Sequence, residues 1–558
     1  MDKVKKEERK RGGPRGNLYL KVMIEFSSLG SYLPFFITSK EHGRSMAEIA
    51  NPRYSRPIDV HRWSEHPEVK ALVQDIWEEW LPAEITGEGK AKPGPKPKTS
   101  LKKQLRVVIL DLYVAWLDDP ELCIGVSMDV GAWKANSRYN ALHLSKGLIP
   151  IVKALDRASL IDIAPGSYSG PGNKGNRTTR IRASGSLQMF FQRAKFVRDD
   201  VTRFEGEEII ILRSAKEAAE RGKQVEYTDT AEIITMRDNL KAYNDLVMSS
   251  FIDVATLQAP VIQVNPESDV SNVHIHPDNA RSRRVFSRSD WNMNGRFYGG
   301  WWQRVNDDWR SKIFIDDQPT IEVDFKGLHV AMLYAKAGQE LLHDPYALPG
   351  SEDDEGETIV LGYPAILARK LCKTLVLTAI NAKGKSSAYS AFRDEFPAGN
   401  MGKRMTNEKL DKLLDAFLKL NPIVANSLFS DQGIQLMYLD SQITAHVHEH
   451  FTKQRVPVLS VHDSYIIDHM KVAELRQVMA EASEAVMGRA LPTAIKLPDM
   501  PEYANVTDEQ LQMHIDNREG IRCVGYMDRL FAYQDKSGRC ISPAERGELS
   551  LIYDGYSC

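Results

Sequence analysis

Two strand-like apolar runs, residues 456–461 and 465–467, are separated only by His462-Asp463-Ser464. This pattern predicts a tight hairpin with buried strands and an acidic tip turned to solvent. A second strand-like run, 320–323, ends at Asp324, and Phe325-Lys326-Gly327 leads into a helix-spaced run that reaches Gly338. Between the two lies the stretch 363–377, predicted as a helix with Pro364 in its first turn. Arg369 and Lys373, four residues apart, share one face of it, with apolar residues on the other. A further helical run, 437–452, leads straight to the hairpin. Its alternating His446, His448 and His450 point in different directions on a helix, so they are expected at the surface and not as a metal site.

The first half has its own pattern. Ser100 is placed to cap a helix from Leu101 to about Leu117, and Ser145 to cap a second over about 146–158. A strand-like run at 160–164, a Gly-rich turn over 166–176 and a basic return strand at 177–182 follow. This succession resembles the winged helix-turn-helix, at the level of shape that of plasmid replication initiators. The resemblance implies a second helix in the DNA major groove and a wing on the backbone. Lys146, Lys153, Arg157, Arg177, Arg180 and Arg182 would then be the contacting cations. Residues 205–250 read as helix-rich, at 214–220 and 230–247. Residues 1–20 and 87–98 read as basic tail and linker.

Composition narrows the class. The chain has 558 residues, 42% hydrophobic, enough for about three domains with sizeable cores. It has no apolar run of about 18 residues, so no membrane span is expected. The charged start, Met1-Asp2-Lys3-Val4-Lys5-Lys6, lacks the apolar segment of a secretory signal. Five scattered cysteines without a CxxC pair suggest neither zinc site nor disulfide framework, and a cytoplasmic location is the simple expectation. The net charge of −2 hides basic tracts at 1–16 and 90–103 that suit a phosphate backbone or a solvated tail equally.

Two strand-borne carboxylates can hold a pair of Mg²⁺ ions for in-line phosphoryl transfer, and two cations on one helix face suit a triphosphate. The order of carboxylate strand, basic helix and His-Asp hairpin resembles the palm and fingers of family A DNA polymerases and of single-subunit phage-type RNA polymerases. Residues 292–300, which include Gly295-Arg296, resemble the Gly-Arg motif that precedes the carboxylate strand in the RNA enzymes. Arg310 stands where that family often has an arginine. Asp344-Pro345-Tyr346 looks like the acidic lead into the fingers. The resemblance covers roughly residues 280–470, about a third of the chain.

The resemblance implies an α+β right hand of palm, fingers and thumb behind a winged-helix-like domain. Expected divisions are a disordered tail at 1–20 and a DNA-binding region at 21–190, winged-helix-like over 100–190. A helical thumb-like region at 191–280 and palm and fingers at 281–510 follow, with 511–558 unassigned. Asp324, Asp463 and the Phe325 carbonyl would hold two Mg²⁺, for which Mn²⁺ can substitute. Arg369 and Lys373 would bind the triphosphate, and Lys373 would protonate the pyrophosphate. Arg296 and Arg310 would hold template, primer or nucleotide phosphates, and His462 would orient the hairpin and the primer end. Tyr465 is expected in the core. The bulky His329, five residues after Asp324, favours dNTPs. Against this, Asn381-Ala382 replaces the family's Tyr-Gly, and Ser464 follows His-Asp as in the RNA enzymes. No Asp-x-Glu exonuclease set precedes the palm, so no proofreading is expected. Three readings stay open: a DNA polymerase for mobile-element or plasmid replication, a single-subunit RNA polymerase or primase, and an inactive DNA-binding initiator.

Overall fold

The computed structural model describes residues 48–81, 98–170, 173, 175–216, 222–263, 272–352, 356–498, 500 and 504–539. The expected tail at 1–20 and nearly all of the 87–98 linker lie outside these residues. So do 217–220 of the expected 214–220 helix, whose residues 214–216 are not helical. The described chain is α+β. No helix among the described residues is long and apolar enough to cross a membrane.

The N-terminal part is built on a four-stranded sheet ordered Ser55–Pro57, Cys123–Val126, Thr179–Ala183, Ile161–Ala164. The Leu101–Asp118 helix packs on it and on the Pro67–Trp80 and Leu148–Arg157 helices, so it is apolar nearly all round. Its cap is the expected one: the Ser100 hydroxyl accepts from the Lys103 amide. The next helix begins later than expected. The Ser145 carbonyl and hydroxyl take the Leu148 and Gly147 amides in a turn that precedes it, so Gly147 is the cap. The expected hairpin pairs Ile161–Ala164 with Thr179–Ala183 in antiparallel register.

The larger core sits around a six-stranded sheet. Its path is Val458–Val461, Ser464–Asp468, Gln318–Phe325, Ile313–Ile315, Ile252–Val254, with Thr493–Lys496 also paired to Gln318–Phe325. Alternation along Gln318–Phe325 explains the strand. Ile321, Val323 and Phe325 bury one face, while Thr320, Glu322 and Asp324 share the other. A three-stranded sheet, Ile210–Leu212, Arg283–Ser287 and Asp290–Tyr298, packs its last strand on the Gly433–Lys453 helix.

Residues 191–280 are not the expected helical region. Their described residues hold one long helix, Ala231–Met248, among short strands, and Ile252–Val254 pairs into the six-stranded sheet instead of standing apart. The Ala231–Met248 helix is itself packed down: Tyr243 donates to the Val458 carbonyl at 2.9 Å. The described residues from 508 onward supply two helices, Asp508–Glu519 and Val524–Ser537. Arg518 donates to the Thr320 and Ile313 carbonyls, and Arg529 grips Asp253 through two bonds of 2.6 and 3.1 Å. Buried backbone carbonyls and a buried carboxylate thus find donors, and the terminal helices are tied to the sheet.

His448 corrects the expectation for the three histidines. His446 is exposed, but His448 is buried, stacked on Tyr243 at 3.8 Å and edge-on to Phe297. Neither ring nitrogen has a hydrogen-bond partner, and burial with the Arg284 charge pushes the imidazole down to about 3. A histidine neutral when folded takes up protons first in the unfolded chain, so it lowers stability as pH falls below about 6.5, by at most about 1.4 kcal/mol per pH unit. His448→Phe keeps the ring packing and removes this slope. Its melting temperature should exceed that of the unaltered protein at about pH 5, with the gap narrowing toward about pH 7.5. Equal gaps at both pH values would contradict the assignment.

Candidate active site

The hairpin between Val458–Val461 and Ser464–Asp468 closes with two residues, His462 and Asp463. Such a short loop needs backbone of positive φ, and His462 supplies it at 59° without being glycine. Strain of this kind is tolerated where the surroundings over-determine it. Here the ring of Tyr298 meets the His462 ring edge-on at 5.6 Å.

The register sets Asp324 opposite Ser464, one residue past Asp463. The Phe325 amide points back at the Asp463 carbonyl, 3.4 Å away. The two aspartates predicted to act together therefore lie side by side. Asp324 is half-buried, and its Oδ1 is sealed from solvent without a hydrogen-bond partner. Burial and the Asp463 charge raise the Asp324 carboxyl well above its ordinary range; Lys373 pulls it the other way. Lys373, on the Ala365–Asn381 helix, is thus brought into the field of Asp324.

Other predicted cations are brought to the same region but arrive with partners. Arg369 pairs with Asp344 and lies over the Tyr346 ring. Arg310 makes two bonds to Glu322, at 2.9 and 3.3 Å, and Glu322 also accepts from the Ser464 hydroxyl at 2.7 Å. This chain locks the strand carrying Asp324 to the hairpin. Arg296 is largely buried and pairs with Asp440, a residue that no sequence motif singles out. Burial pushes the Asp440 carboxyl up to about 7 against the pull of Arg296, and Asp463 adds to the rise.

His329 is buried in the same cluster. Neither ring nitrogen has a hydrogen-bond partner, and burial with the nearby Arg296 charge pushes it down to about 4. Phe325 is buried edge-on to Tyr465, which is itself in the core as expected. Asn381 stands eight residues past Lys373, about 12 Å further along the helix axis. It lines a cleft of about 720 Å³ with Thr374, Thr378 and Lys383. Gly433 leaves room beside it: a Cβ there would fall 1.9 Å from the Asn381 Oδ1, and the Asn381 side chain would have to turn away.

The N-terminal cations separate into three groups. Lys146, Lys153 and Arg157 are exposed along one helix and the turn before it. Arg177 and Arg180 are half-buried, donating to the Pro165 carbonyl and the Ser55 hydroxyl. Arg182 does not fit its predicted place on an open interface. It is buried and paired with Asp162 and Glu121, where it holds the hairpin to the sheet.

Among the described residues no three His, Cys, Asp or Glu side chains group closely enough to hold a metal ion by themselves. The oxygens of Asp324 and Asp463 with a backbone carbonyl are the hard donors present, a set suited to Mg²⁺ completed by water and phosphate. Asp440 had a signal in the sequence: it lies on the same helical stripe as Leu436, Ile443 and Val447, all buried. Comparisons with known proteins add no name: no family model matches the chain, and no curated protein matches it.

Proposed function

We propose that the chain is a template-directed nucleotidyltransferase, in first place a DNA polymerase without proofreading, with its six-stranded sheet as the palm. One observation carries the reading. Asp324 and Asp463 sit side by side, with an Asp324 oxygen buried and unpartnered. Like charges so placed cost stability unless cations join them, and such costs concentrate at functional sites. Asp324, Asp463 and the Phe325 carbonyl would hold Mg²⁺, or Mn²⁺ in its place, which when bound would lower the pKa of a primer 3′-hydroxyl and neutralise charge on the transferring phosphate.

The remaining roles fall to this chain's own groups. Lys373 meets the triphosphate and is placed to give a proton to the departing pyrophosphate. Arg369 exchanges Asp344 for phosphate as the Ala365–Asn381 helix, the fingers, closes. Arg310 holds the hairpin through Glu322, and Arg296 supports it through Asp440. His462 orients the primer end. The N-terminal part acts as a winged-helix-like DNA reader through Lys146, Lys153, Arg157, Arg177 and Arg180. DNA template, primer and dNTPs are the partners, and the cytoplasm the proposed location.

A second reading, a single-subunit RNA polymerase or primase, has one observation in its favour. A sugar gate must touch the ribose, and His329 is buried to 8% exposure. Extension of a labelled primer on a DNA template in Mg²⁺, with dNTPs or NTPs offered separately, tests both. Extension with dNTPs supports the first reading. Extension with NTPs alone selects the second. Incorporation of neither, with or without primer, leaves the N-terminal part as the working portion of an inactive initiator.

A further inference from the structure

A cleft of about 600 Å³ lies between the N-terminal sheet and the three-stranded sheet, outside the carboxylate pair. Its lining carries five arginines, Arg56, Arg62, Arg213, Arg283 and Arg304, against three carboxylates, Asp59, Asp118 and Glu208. Each carboxylate is matched by an arginine that does not line the cleft: Asp59 by Arg203, Asp118 by Arg198, and Glu208 by Arg237 at 2.9 Å. Three of the five lining arginines are ion-paired in turn, Arg56 with Asp111, Arg62 with Asp278 and Arg283 with Glu207, so the lining and its partners together hold eight arginines against six carboxylates, a modest positive excess. All five fixed cations on the lining are arginine rather than lysine, which suits planar, two-point contact with phosphate oxygens.

A second observation points to a ligand. His61, on the cleft wall, is buried, and its Nε2 has no hydrogen-bond partner. A buried polar atom of this kind is satisfied at little cost by an incoming donor or acceptor. Two aromatic rings, Tyr139 and Tyr298, also face the cleft. Tyr298 marks its direction, since the same ring touches His462 at the hairpin tip. One wall of the cleft is thus a single side chain away from the hairpin tip. Its volume suits a few nucleotides of one strand and not a duplex, whose major groove alone is about 12 Å wide.

We infer that this cleft binds single-stranded nucleic acid by its sugar–phosphate backbone and leads the strand to the His462-Asp463 tip. The identification of that strand as primer or nascent product rests on the proposed function; the binding itself does not. Arginines hold the phosphates, the half-buried Tyr298 offers a ring for a base, and affinity falls with salt as counterions are released.

The test is fluorescence anisotropy of a labelled single-stranded oligonucleotide of about eight nucleotides, titrated at several salt concentrations. The proteins are the full chain, Arg213→Glu, Arg304→Glu, the milder Arg213→Ala and Arg304→Ala, and Asp463→Ala. Melting curves show which variants are folded, and the alanine variants carry the test if a reversal unfolds. Each reversal should weaken binding about ten-fold or more and flatten the salt slope by about 0.7 for every phosphate no longer held. Unchanged affinity and slope in folded Arg213 and Arg304 variants would overturn the inference. So would variants that lose binding of a nucleoside triphosphate yet keep the oligonucleotide, which would make the cleft a mononucleotide site. Primer extension by Asp463→Ala reports on the proposed function separately: full activity there would remove that reading without touching the binding result.

Discussion

Asp324→Asn is expected to cut nucleotide incorporation by roughly 10³-fold or more while raising the thermal stability of the metal-free protein near neutral pH. The two effects share one cause. Asparagine has nearly the shape of aspartate but brings no charge to a site that burial and Asp463 make hostile to one. A carboxyl whose folded pKa lies above its unfolded value keeps its proton longer in the folded state. Its contribution to stability is present at low pH and declines as pH rises from the ordinary carboxylate range through the raised folded value. The asparagine variant lacks that decline, so its advantage grows with pH over this window and vanishes in acid. Melting curves without metal across this range, beside single-turnover incorporation with Mg²⁺, provide the check. Loss of activity with lowered stability at neutral pH would mark Asp324 as a structural residue and remove the basis for a metal-binding pair. A gain in stability bought with activity is the signature of a strained functional site.

The second large effect is expected at Arg296. Removing it as Arg296→Ala strands Asp440, which has no exposed surface and whose Oδ1 already lacks a partner. Breaking a buried ion pair from one side costs about 3–5 kcal/mol, because the remaining charge keeps its desolvation penalty. Burial alone drives the orphaned carboxyl above the value of about 7 that it has beside arginine. The variant therefore escapes part of the cost by holding a proton, and its deficit in denaturant midpoint should be largest at about pH 8 and smaller at about pH 5. Arg296→Ala with Asp440→Leu should regain much of the stability, since two apolar groups leave nothing unpaired. Its incorporation should stay low, as the hairpin loses the cation beside Asp463. Failure of the double variant to recover stability would show that Arg296 acts through groups other than Asp440.

What the sequence disclosed was local. The His462-Asp463 hairpin, the Asp324 strand, the Arg369–Lys373 face and the Ser100 cap are each written in a few consecutive residues, and each stands where its periodicity placed it. What stayed hidden depends on pairing across the chain. Ile252–Val254 joins Ile313–Ile315 in the sheet, and nothing in three residues says which strand will accept them. Arg182 reads as one more cation of a basic strand until Asp162 faces it across the hairpin. His448 and Asp440 look like ordinary polar positions of a helix, although each falls on a buried stripe. A charged or titratable residue on such a stripe is where a sequence departs from packing logic, and both prove to be perturbed groups.

The order of the sheet also governs how the protein is made. Gln318–Phe325, which carries Asp324, takes its partners on either side from Ser464–Asp468 and Thr493–Lys496. A ribosome adding about 5–20 residues per second reaches those partners only after roughly ten to thirty seconds, during which the strand's apolar face and unpaired edge are uncovered. Native pairings this distant in sequence form slowly. The strand carrying Asp324 is therefore a segment of the nascent chain in need of a chaperone, and slowed synthesis in the cold should lengthen its exposure as well as its time to fold.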